Sequence, residues 1–172
     1  MLVGLPLRLD SLKSLPDSTL MAQFENELWL PCGVDALFEF LLRPANVQRI
    51  SDPRLGLVFE QAPDVVNPGC IIAFKVQAYG VVQKLEHEIT AVERPRLIVE
   101  EQIKGPMKAW RHEHHFEEHD QGVKMTDRVI FQPPGGMLGF LVKESTILDG
   151  LEDGFIHREQ ELRRLVSQGE IT

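Results

Sequence analysis

The sequence is poor in the residues that would settle its class quickly. Two cysteines, Cys32 and Cys70, are all that 172 residues contain. That excludes a disulfide framework and any cysteine-rich metal spacing. The plain expectation is two reduced, partly buried thiols in a cytoplasmic protein. Cations are scarce as well: 18 Lys and Arg against 26 Asp and Glu leave a net charge of −8. A chain that neutralises phosphates needs a basic face, and the densest basic stretch, around Lys104 and Lys108, is short. No nucleic-acid partner and no electrostatic attachment to anionic lipid are expected. No apolar run approaches the ~18 residues of a membrane span. The opening Met1 to Arg8 has neither a basic leader nor an apolar run of signal-peptide length.

What is present suits one folded unit. A chain of this size buries about 68–70% of its unfolded surface, and 43% apolar residues can supply the core. Residues 1–18 read as an N-terminal extension and 19–172 as a single domain. Residues 20–30 alternate as a strand with Phe24, Leu28 and Leu30 on one side and Asn26 as the exception. Val34, Leu37, Phe38, Leu41 and Leu42 recur at helical spacing over 34–42, Pro44 breaks the run, and a second short helix fits 46–50. From residue 55 the period changes to two. Runs at 55–61, 70–79, 81–92, 96–104, 107–118 and 123–132, separated by Gly/Pro/Asn turns, give a six-strand meander. A long helix follows over 138–166, with Leu141, Glu144, Ile147, Leu148, Leu151, Phe155, Leu162 and Val166 as its inner stripe. Gly150 and Gly154 in that helix point to close packing, a kink or a wider helix–sheet gap, and 167–172 should fray.

The hairpin 107–131 points to a register, with a bulged loop shifted by one as the alternative. A two-residue Asp120-Gln121 loop sets His119 opposite Gly122, Phe116 opposite Met125 and Trp110 opposite Phe131 on one face. Glu117 then meets Lys124 and Glu113 meets Arg128 on the other. His112 and His114 therefore point to the apolar side with Val129, and Asp127 lies opposite His114. His87 shares a face with Leu85 and Ile89 and joins this set. Polar groups on an apolar wall need partners. Three readings stand: a satisfied His114–Asp127 core pair, a set of groups that orients a ligand, or a general acid/base site made of His114, Asp127 and His112. No covalent nucleophile is apparent. His115 points outward and His119 sits at the turn, so the neighbouring histidines supply no third ligand, and no metal or cofactor is expected. Gly135-Gly136-x-x-Gly139 lacks the features of a phosphate loop. Glu117-Glu118 and the charged stretch Arg158–Arg164 read as solvated surface.

Several stretches carry a family resemblance: Pro31 to Phe40, Arg43-Pro-Ala-Asn46 to Ile50, Glu101-Gln102-x-x-Gly105-Pro106-x-x-x-Trp110-x-His112-x-His114-x-Phe116, Thr126-Asp127-Arg128-Val129 and Phe155-x-x-Arg158-x-x-x-Leu162. Over about residues 20–166 the chain resembles the START-like (SRPBCC) ligand-binding superfamily. Its members include the birch pollen allergen family and bacterial polyketide cyclase/dehydrase-like proteins. The resemblance implies an α+β helix-grip fold: a seven-stranded antiparallel sheet wrapped around a long C-terminal helix, with two short helices after the first strand. It implies a small hydrophobic ligand in an internal cavity, and the inward-facing pattern makes His87, Trp110, His112, His114, Phe116, Met125, Asp127, Val129, Leu151 and Phe155 the candidate ligand-binding residues. A cyclase/dehydratase-like or other acid/base enzyme, and an interaction module with a filled core, are the alternatives. A homodimer through an exposed sheet edge is compatible with the meander.

Overall fold

The computed structural model describes residues 21–78 and 80–172. The expected extension over 1–18 lies outside them. In chain order the elements are β1 (Ala22–Leu30), α1 (Val34–Leu41), α2 (Pro44–Ile50), a 3-10 turn (Pro53–Leu55), β2 (Val58–Gln61), β3 (Ile71–Ala78), β4 (Val81–Glu93), β5 (Leu97–Lys104), β6 (Ala109–His119), β7 (Gly122–Gln132), α3 (Gly136–Leu141) and α4 (Glu144–Ser167). The strands form one antiparallel sheet in the order β1-β7-β6-β5-β4-β3-β2. This is the helix-grip arrangement: a bent sheet closing on α4, with α1 and α2 at one end.

Local chemistry explains most boundaries. Val34, Leu37, Phe38 and Leu41 give α1 a buried stripe. Pro44 occupies the first turn of α2, where its missing N–H costs nothing. Asp52 accepts from the Arg54 backbone N–H and caps the 3-10 turn. The β6–β7 hairpin has the expected register throughout, from His119 opposite Gly122 to Trp110 opposite Phe131. Gly122 has φ 150°, and a Cβ there would stand 2.2 Å from the Leu30 carbonyl oxygen, so the hairpin tip can approach β1 only without a side chain. Register shifts in the β4–β5 ladder at Glu86/His87 and Ile89/Ala91 bend the sheet beside the cavity.

The C-terminal region departs from the sequence reading in three ways. First, the long helix is two helices. Val142 adopts an extended backbone (φ −111°, ψ 95°) and is 1% exposed. Burying it with Val129, Phe131, Ile147 and Phe155 outweighs continuing the helix. Leu141 and Glu144 consequently face outward, and Leu165, absent from the expected stripe, is fully buried. Second, the tail is docked. Gly169 (φ 73°) ends α4 with the 6→1 and 5→2 bonds of a Schellman motif, Glu170 N–H to Leu165 O and Gly169 N–H to Val166 O. Ile171 is then buried, and Glu170 pairs with Arg49 at 2.6 Å. Third, α4 runs unbroken through Gly150 and Gly154, and a Cβ at either would meet nothing within 4 Å among the described residues.

The buried apolar side chains form two clusters. One joins α1, α2, the end of α4 and the sheet around Phe38, Phe116 and Leu162. The other joins β7, α3 and the start of α4 around Phe131 and Phe155. Because the two helix glycines have open space, Gly150→Ala and Gly154→Ala should each raise stability by about 1 kcal/mol in urea unfolding. Gly122→Ala should instead destabilise. Loss of stability in both helix variants would show that something packs against those positions.

Candidate functional site

Between the two clusters lies a cavity of about 440 Å³. Its wall is mainly apolar, with Phe59, Phe74, Trp110, Ile147, Leu151 and Phe155. Gly150 and Gly154 line it too, so their missing side chains leave room rather than permit close packing. A second depression of about 720 Å³ at the β1 edge is lined chiefly by exposed side chains, including Glu27, Trp29 and His119, and contains none of the buried polar groups.

The ladder brings the polar groups together. Directly paired residues share a sheet face. Glu100 on β5 pairs with His112 on β6, His114 pairs with Asp127 on β7, and His87 on β4 pairs with Gln102 on β5. Asp127 is completely buried. His112 Nε2–H donates to Asp127 Oδ1 at 2.9 Å, while His112 Nδ1 faces Glu100 Oε1 at 3.4 Å. His114 Nδ1 lies 2.5 Å from the same Asp127 oxygen, but at an angle that makes no hydrogen bond. Arg158 Nη1 of α4 is 3.8 Å from that oxygen, and the guanidinium stacks 5.0 Å from the Phe155 ring centre. His87 packs edge-on against Phe74 and turns Nδ1 to Glu100 at 3.6 Å.

These contacts set the charges. Burial pushes the Asp127 carboxyl up, but the adjacent His114 and His112 more than reverse this and hold it far below the usual carboxylate range. Glu100 behaves alike: burial raises it, while His112 and His87 pull it well below its ordinary value. Burial pushes His112 down, and the carboxylates of Asp127 and Glu100 override this to leave it raised. His114 is lowered by burial and by the neighbouring His112. These directions favour carboxylates at Asp127 and Glu100 with the proton on His112 between them, beside the Arg158 guanidinium.

Six of the ten sequence-selected residues line the cavity: His87, Trp110, His112, Val129, Leu151 and Phe155. His114 and Asp127 stand behind His112, off the wall. Phe116 and Met125 share the inward face but belong to the closed main core, where Phe116 meets Phe38 edge-on at 5.1 Å. The sequence reading missed Glu100, Gln102 and Arg158 as wall residues. Arg158 is not solvated surface, because its side chain is only 16% exposed. The acid/base trio is thus assembled, yet both ring nitrogens of His112 already face carboxylates. His112, His114 and Asp127 also bring three metal-ligating side chains within 4.8 Å of one another. His115 and His119 take no part in this group.

No protein-family model matches the chain. No curated protein matches it either. Solved structures do. Major latex-like protein 151 from Panax ginseng superposes with a TM-score of 0.62 at 13% identity, covering 84% of this chain and 97% of that one. Protein Ms6760 from Mycobacterium smegmatis gives 0.61 at 17% identity, covering 88% of this chain and 93% of its own. The di-domain ARO/CYC StfQ of the steffimycin biosynthetic pathway gives 0.57 at 19% identity, covering 87% of this chain and 46% of its own. At these identities the likeness is one of fold.

The ion network has a pH signature. His112, raised by folding, contributes stability below about pH 6.5, and that contribution is lost as pH rises through its folded value. Asp127 and Glu100, lowered by folding, contribute above about pH 4, and theirs is lost on acidification. His114, lowered by folding, works the other way and costs stability until pH reaches about 6.5, so urea unfolding should show greatest stability near pH 6.5. His112→Gln should remove the decline on the alkaline side. Stability that climbs from pH 6.5 to 8 in the unmodified protein would contradict the assigned charges.

Proposed function

Starting from the helix-grip fold of the START-like superfamily, we propose that this chain binds and carries a small, mainly apolar molecule in the cavity between the sheet and α4. One observation carries the reading. The cavity is lined mainly by aromatic and aliphatic side chains, yet several buried polar atoms on its wall make no hydrogen bond among the described residues. They are Trp110 Nε1, Gln102 Oε1, Arg158 Nη1 and both ring nitrogens of His87. Each such atom costs about 1–3 kcal/mol if left unpaired. A ligand with an apolar body and oxygen functions at one end offsets that cost, with the apolar wall supplying most of the affinity at about 25 cal/mol per Å². The donors Trp110 and Arg158 suit a carbonyl or hydroxyl oxygen, and Gln102 Oε1 suits a hydroxyl hydrogen.

A filled-core interaction module does not fit a cavity of this size. Acid/base catalysis has less support, because His114 and Asp127 stand behind His112 and off the cavity wall.

Titration with the uncharged fluorophore N-phenyl-1-naphthylamine tests the reading. Saturable binding with blue-shifted emission is expected. Gly154→Leu, which fills open space in the cavity wall, should weaken it at least tenfold without lowering the unfolding midpoint. Unchanged affinity in Gly154→Leu and in Gly150→Leu would place the probe elsewhere and count against the proposal.

A further inference from the structure

We propose that His112 Nε2, His114 Nδ1 and Asp127 Oδ1 form a binding site for one divalent transition-metal ion at the edge of the cavity. The three side chains come from adjacent strands, β6 and β7, whose ladder fixes their relative positions. The ligand atoms are already collected within 4.8 Å of one another. Two imidazole nitrogens and one carboxylate oxygen suit Zn²⁺, Fe²⁺, Co²⁺ or Ni²⁺ better than Mg²⁺ or Ca²⁺, which prefer all-oxygen sites.

Three details go beyond collected ligands. Asp127 Oδ2 and His114 Nδ1 are buried without a hydrogen-bond partner among the described residues. An imidazole nitrogen 2.5 Å from a carboxylate oxygen, with no hydrogen directed along the contact, is repulsive unless a cation is shared there. Glu100 faces the far nitrogen of His112 at 3.4 Å. A carboxylate behind a ligating histidine is the usual outer partner that orients the ring and raises its basicity. The two carboxylates offset the charge of a 2+ ion, and the Arg158 guanidinium leaves the filled cluster one unit positive. A 2+ ion would face Asp127 and Glu100, with Arg158 adding one positive charge from α4, His87 flanking Glu100 from β4 and uncharged Asn26 opposite Asp127 on β1. Metal–ligand bonds of about 2.0–2.2 Å place ligand atoms roughly 3 Å apart, so small rotations of the two rings suffice. His112 and Arg158 also line the cavity, so a remaining coordination position can be reached from it.

The site competes with the His112 proton, because the ion takes the Nε2 lone pair. Affinity should therefore rise with pH. The test uses the untagged full chain, stripped with chelator. Zn²⁺ is titrated by calorimetry at pH 6 and pH 8, and Co²⁺ by visible absorption. One ion per chain is expected, bound at least tenfold more tightly at pH 8. His114→Gln should weaken binding at least tenfold, Glu100→Gln roughly tenfold, and His119→Gln not at all. X-ray absorption of the Zn²⁺-loaded unmodified chain should show two imidazoles in the first shell, which keeps the test decisive if a variant fails to fold. No stoichiometric uptake would overturn the site. So would uptake that His114→Gln leaves intact, or a first shell without two imidazoles. None of these results depends on whether the cavity holds an organic ligand.

Discussion

A fully buried carboxylate cannot stand alone, and Asp127 is the charge around which this fold is arranged. A lone ion in that position would cost several kcal/mol. Its oxygen is met by His112 from the sheet and Arg158 from α4, so its partners come from both walls of the grip, with His114 crowded beside it. His112 in turn meets Glu100, and Glu100 meets His87, so the network crosses four strands of the sheet and reaches α4. Removing one partner leaves another buried charge uncompensated. Such changes cost about 3–5 kcal/mol.

That network also shapes the space beside it. Ion pairs and imidazoles cannot interdigitate like Leu and Phe, and the buried apolar residues divide into two clusters on either side of the cavity. Gly150 and Gly154 contribute by omission, giving up about 1 kcal/mol of helix propensity each and keeping the facing side of α4 open. Val142 and the docked Ile171 hold α4 at its two ends, so its middle can span the cavity without filling it. The modest apolar fraction of the sequence thus has a structural counterpart in a hollow centre.

Much of this frame was legible in the residues. The β6–β7 register followed from pairing apolar with apolar and acid with base across a two-residue loop, and it placed Asp127 beside His114. The α1 stripe and the strand alternations were equally plain. Glu100 was hidden for a physical reason: β5 carries apolar residues on both faces, Leu97 and Val99 on one and Ile98 on the other, so its inward side is undefined until the β5–β6 register is known. Arg158 did leave a signal. It continues the stripe of Leu151, Phe155 and Leu162 at helical spacing, but its place in a charged run obscured this. The third metal-ligating side chain was sought among neighbouring histidines in sequence, whereas the ladder supplies it from the next strand. The helix break at Val142 and the docked tail depend on tertiary burial, which local pattern does not encode.

The claim that the cavity is built to hold a mainly apolar molecule is tested most directly by native mass spectrometry of the freshly purified chain, followed by solvent extraction. The expected result is a population heavier than the bare chain by one small molecule, whose extract contains an apolar compound bearing hydroxyl or carbonyl oxygens. The bare chain alone, in every preparation and after incubation with a solvent extract of the source cells, would contradict it.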